Sequence, residues 1–123
     1  NISPKTDHWL SSATGISQCT YHLIFLQKAI RVDIEFTRKE AMENKQLFDF
    51  FYARKNEIEH KFGQPLEWLR LDAKKSSRIE FILNTDGHNQ DLWQSHIAWH
   101  LEHIQKLEQA FKPYMNEAYQ VIK

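Results

Sequence analysis

The chain has little of what either staples or interrupts a small fold: one cysteine, three glycines and three prolines in 123 residues. A lone Cys19 permits neither an internal disulfide nor a cysteine-based zinc site, and it fits a reducing, cytoplasmic setting. Neither charge is in excess, since sixteen basic and sixteen acidic residues cancel. That balance speaks against a dedicated basic nucleic-acid binder while leaving room for a local basic patch. No apolar run approaches the ~20 residues of a membrane span, so no membrane partner is expected. The opening NISPKTDH has no signal-peptide pattern, and the absence of an initiating Met fits a piece of something longer. What the chain does have is a composition that is 41% hydrophobic and 13% aromatic. That is enough for one core, and the length fits a single domain over residues 1–123.

Hydrophobic periodicity predicts an α+β fold. SPKTDHWLSSATG reads as a short N-terminal helix, with Ser3 as cap, Pro4 at the first helical position and Gly15 at the end. CTYHLIFL and KAIRVDIEFT read as a hairpin about Gln27-Lys28. In the second segment Ile30, Val32, Ile34 and Phe36 share one face, and Arg31, Asp33, Glu35 and Thr37 the other. Thr37 and Glu40 match a capping box that opens a helix running to Phe62, where Gly63 ends it. PLEWLRLD and SRIEFILNT form a second hairpin around the turn AKKS. Asp91 caps a final helix that Pro113 kinks. The expected architecture is a short helix followed by ββαββα. It has an antiparallel sheet of about four strands with two long helices on one face.

WLSSATG, IRVDIEF, LFDFFYARKNEIEHKFG, LEWLRLD, SRIEF and DLW together resemble a prokaryotic family known only as domain of unknown function 4268. The likeness runs from Trp9 to about Tyr114. Lys55, Ile58-Glu59, Gly63, Trp68, Arg78-Ile79 and Trp93 fall in that family's order and spacing. The resemblance implies a C-terminal module that often follows a PD-(D/E)XK-type nuclease region, in settings that suggest restriction or phage defence. It therefore implies an accessory or interaction domain, with an upstream nuclease-like domain, a homodimer mate or nucleic acid as partner. This chain lacks a preceding nuclease region, so it is either a module of a longer protein or a stand-alone member.

Several residues are candidates for chemistry or binding. His96 and His100 are an i, i+4 pair that can chelate a metal such as zinc, with His103 nearby. The pair lacks the glutamate of HExxH, and packed histidines are the commoner case. Asp72-Ala73-Lys74 is a (D/E)xK tripeptide. With Asp33 or Glu35 it would give a Mg²⁺-dependent nuclease site, although Asp is ordinary in a turn. Arg70, Lys74, Lys75 and Arg78 suggest a small basic patch. Lys55 pairs naturally with Glu59 four residues on, and otherwise suits a phosphate. Trp68 points with Arg70 away from Leu69 and Leu71. It is either an interface anchor or a Trp packed under a helix. The expected function is a non-catalytic accessory domain without a cofactor. A metal-dependent nuclease and a stand-alone nucleic-acid binder are the competing readings.

Overall fold

The computed structural model describes the backbone of residues 8–123 and the side chains from Ala13 onward. The period-2 patterns form the strands β2 (Cys19–Phe25), β3 (Ala29–Phe36) and β5 (Ser77–Asn84), joined by β1 (His8–Ala13) and the short β4 (Glu67–Leu69). They make one antiparallel sheet in the order β1-β2-β3-β5-β4. The four strands expected from the sequence are its β2, β3, β5 and β4, and the N-terminal segment supplies a fifth. The helix expected over Ser3–Gly15 is overturned where it can be seen, because residues 8–13 are strand paired with β2. Its first residues lie outside the described ones. Gly15 turns the chain between β1 and β2 at φ +99° rather than ending a helix.

The alternation in β3 sorts its two faces as read. Ile30, Val32, Ile34 and Phe36 are all fully buried, and register places Tyr21 beside Ile34 and Ile79 beside Ile34 from the other side. Helices α1 (Ala41–Tyr52), α2 (Lys55–Phe62), α3 (Trp93–Phe111) and α4 (Met115–Ile122) supply the rest of this core through Leu47, Phe51, Ile58, Phe62, Leu107, Phe111 and Ala118. Phe51 joins the layers, stacking on Phe36 at 5.8 Å and meeting Phe111 edge-on at 5.1 Å. Each such side chain contributes roughly 1.5–3 kcal/mol by leaving water.

The long helix expected from Thr37 to Phe62 differs at its start and in its middle. It begins at Ala41, with Glu40 as N-cap and no side-chain capping bond. Asn44 takes over the work expected of Thr37 and Glu40. Its Oδ1 accepts from the Arg38 amide at 2.8 Å, and its Nδ2 donates to the Arg38 carbonyl at 3.0 Å. The helix then breaks at Ala53–Arg54. Arg54 Nη1 donates to the Phe50 carbonyl at 2.9 Å, the acceptor that its own amide would use in an unbroken helix. That amide bonds Phe51 instead, and the guanidinium lies 3.8 Å over the Phe50 ring. Gly63 ends α2 in the left-handed conformation, as expected. At the last helix, Asn89 rather than Asp91 is the cap. Its side chain accepts from the Asp91 amide at 2.9 Å and starts a 3-10 turn ahead of α3. Pro113 sits in a second 3-10 turn that separates α3 from α4. No helix among the described residues is long and apolar enough to cross a membrane.

Candidate binding surface

The polar face of the sheet carries a continuous charge network. Register sets His22 opposite Asp33 and Asp33 opposite Glu80. Asp33 is 1% exposed and Glu80 6%, so both carboxylates need partners. Asp33 Oδ1 is 2.9 Å from His22 Nδ1, and its Oδ2 accepts from Arg31 Nε at 3.0 Å. Arg31 Nε also lies 3.5 Å from Glu80 Oε1, which accepts from Arg78 Nε at 2.7 Å. Thr20 Oγ1 sits 3.1 Å from His22 Nε2, and Glu35 3.7 Å from His22 Nδ1. Burial pulls the His22 imidazole down. The Asp33 hydrogen bond and charge, together with Glu35, outweigh it and hold His22 above its ordinary value. Hydroxyl, imidazole and carboxylate stand in the order of a general-base relay. However, a raised histidine beside a carboxylate shared with Arg31 favours the imidazolium, which donates a proton bond rather than taking one.

The nuclease candidates do not come together. Asp33 and Glu35 belong to that sheet network. Asp72 lies in the β4–β5 turn and accepts from Arg70 Nη1. Arg70 in turn forks onto Asp49 of α1 at 2.8 and 2.9 Å. The Arg70 hydrogen bond holds the Asp49 carboxyl below its usual range.

The histidines of α3 are packed. His100 is buried at 1%, with Nε2 3.1 Å from both the Ile24 and the Arg31 carbonyl oxygens. Nε2 must therefore carry the proton and donate to them. Burial drives His100 down to about 4 and also lowers His96. His96 Nε2 meets Thr85 Oγ1 at 3.3 Å. His103 donates from Nδ1 to the Trp99 carbonyl at 2.7 Å, its ring stacked on Trp99 and Phe81. Among the described residues, no group of three or more His, Cys, Asp or Glu is placed to hold a metal ion. Cys19 is buried, and burial pushes its thiol up to about 12.

Trp68 is packed rather than presented outward. It meets Phe48 and Tyr52 edge-on and donates from Nε1 to Glu59 Oε2 at 2.9 Å. Glu59 also accepts from the Leu66 amide at 2.8 Å. It is therefore committed to β4, not to Lys55, whose ammonium lies 5.5 Å over the Tyr52 ring.

The basic residues of the second hairpin fall into two groups. Arg70 is spent on Asp49 and Asp72, and Arg78 on Glu80. Lys74 and Lys75 are exposed in the β4–β5 turn, and Lys39 is exposed in the β3–α1 connection. Asn44 is fully buried and brings these two loops together, donating from Nδ2 to the Lys75 carbonyl at 2.9 Å as well as to Arg38. Lys45 locks the turn from within. Its ammonium reaches the carbonyls of Arg70, Leu71 and Ser76 at 2.6, 2.9 and 2.7 Å, and Ser77 Oγ at 3.0 Å. Leu71 takes the left-handed conformation at φ 57° within this clamp. No ion pair among the described residues engages Lys39, Lys74 or Lys75. Asn44 and Lys45 were not among the residues singled out from the sequence. Both stand in a helix's first turns, where a polar residue ordinarily faces water.

No curated protein matches the chain, and no solved structure does. A family model does match, over residues 1–115, and the chain belongs to the family described as Domain of unknown function (DUF4268).

Proposed function

We propose that this domain is a non-catalytic interaction module of a nuclease-associated, defence-type prokaryotic protein, and that its loop end contacts nucleic-acid phosphates. The observation that carries the reading is the convergence of Lys39, Lys74 and Lys75. The buried Asn44 joins the backbones of the two loops that carry them, Lys45 holds the β4–β5 turn from within, and no ion pair among the described residues engages the three lysines. A rigid turn that presents unpaired lysines suits a phosphate backbone, which asks for charge at a fixed place and no base readout. Arg70 and Arg78 act in this account by shaping the turn and the sheet edge. Asp72 positions Arg70 rather than binding Mg²⁺.

Fluorescence anisotropy with a labelled DNA duplex at low salt tests this. The native chain should bind weakly, and the K39A/K74A/K75A variant should bind at least tenfold more weakly with an unchanged melting temperature. Equal binding by the two proteins would overturn the proposed surface. Mg²⁺-dependent cleavage that disappears in Asp72→Asn would overturn the non-catalytic reading.

A further inference from the structure

Strand β5 runs from Ser77 to Asn84, but β4 pairs only with Arg78, Ile79 and Glu80. The backbone directions along β5 follow from one bond. The Thr85 amide donates to the Lys28 carbonyl at 3.0 Å, so odd-numbered residues of β5 turn their backbone groups toward β3. Even-numbered ones turn away from it. Arg78 and Glu80 thus meet β4, while Ile82 and Asn84 point their N–H and C=O groups off the edge of the sheet. No hydrogen bond among the described residues reaches those four groups.

The gap has a cause in the sequence. Continuing the β4 register would set Pro65 opposite Ile82, where the ladder needs an N–H that proline lacks. Gly63, at φ +101°, ends α2 just ahead of this proline. What remains open is Phe81-Ile82-Leu83-Asn84, an uncharged edge with Leu83 39% exposed and Phe81 stacked on Trp99 at 5.7 Å. Monomeric folds usually blunt such an edge with Lys, Pro or a bulge, and this one has none of them within the gap.

We infer that a second copy of this chain fills the gap, β5 against β5, antiparallel about a two-fold axis with Ile82 opposite Asn84 of the second copy. Only an extended backbone offers donors and acceptors at the spacing these groups require, and this register is self-complementary. It pairs both outward residues of each copy and gives four hydrogen bonds. It sets Leu83 against Leu83 at the axis, with no charge to repel. It also ends at Thr85–Asp86, one step before the second copy would meet β4. The contact is short, so association is weak and depends on concentration. It does not rest on the proposed lysine surface, which uses other residues.

Sedimentation equilibrium over about a hundredfold range of concentration, together with amide hydrogen exchange, tests the inference on the 123-residue chain. The expected average mass rises from 14.8 kDa toward twice that value, and the Ile82 and Asn84 amides become protected over the same range. Asn84→Pro removes an outward donor without touching the β3 ladder, and Leu83→Lys places charge at the axis. Either variant should stay monomeric with its melting temperature kept. A mass fixed at 14.8 kDa, or dimerisation that leaves those two amides unprotected, would overturn it. Should one variant fail to fold, the other and the exchange pattern still decide.

Discussion

Asp33 is 1% exposed and bonded to both His22 and Arg31, so its removal leaves the Arg31 guanidinium and the His22 imidazole without their shared partner. Breaking a buried pair from one side costs about 3–5 kcal/mol. Asp33→Ala should lose at least about 3 kcal/mol in urea unfolding. Glu35→Ala should stay within about 0.5 kcal/mol, because Glu35 is half-exposed and lies only at the rim of the network. Equal losses would mean that the network is not organised around Asp33. Gly87 makes a separate demand. A Cβ there would run into the Leu26 carbonyl oxygen and lie 2.7 Å from that of Ala29. Gly87→Ala is therefore expected to cost about 1–3 kcal/mol, read as a lower melting temperature.

Helix α3 carries the acid sensitivity of the fold. His100, at about 4, and His96 are both held down by burial. The unfolded chain therefore binds more protons than the native one below the ordinary histidine value of about 6.5. Their contribution is fully present above that value and is lost as pH falls, with about 3 kcal/mol at stake for His100 by pH 4. His22, raised by Asp33 and Glu35, works in the opposite sense, and its contribution fades as pH rises through its elevated value. Unfolding free energies measured from pH 8 to pH 4 should fall on the acid side, and His100→Leu should flatten that limb. An unchanged slope would contradict the assignment. The same helix shows what the sequence can disclose. The 3.6-residue spacing of Ile97, Ile104, Leu107 and Phe111 puts His100 on the apolar face of this helix, and strict alternation puts Asp33 on the polar face of β3. Periodicity cannot show that Asp33 would be buried there, because that depends on His22 and Glu80 arriving opposite it from two other strands. It also cannot separate a strand from a helix over His8–Ala13, where Ser-Ser-Ala favours neither. The break at Arg54 was hidden because the apolar stripe of Leu47, Phe51, Ile58 and Phe62 runs on through it.

The molecule as a whole keeps its helices and its core on one side of a five-stranded sheet, and the mutually paired charges of β2, β3 and β5 lie on the other. The three lysines of the proposed surface stand at the end where Asn44 and Lys45 of α1 grip the β4–β5 turn. Lys45→Met would remove the ammonium from three carbonyls and a hydroxyl, of which the Arg70 carbonyl keeps Ser77 Oγ and the Leu71 carbonyl keeps the Lys74 amide. It should cost about 1–3 kcal/mol and also weaken DNA binding by loosening Lys74 and Lys75. The fold divides the basic residues read from the sequence for a physical reason. Arg70 and Arg78 look like Lys74 and Lys75 in a one-dimensional pattern. Only the fold shows that carboxylates from α1 and β5 consume the arginines and that Lys39 joins the lysines. The most direct test of this account is the salt dependence of DNA binding by the native chain. Three lysines on three phosphates predict a slope of about −3 for log affinity against log salt. A slope near zero would contradict it.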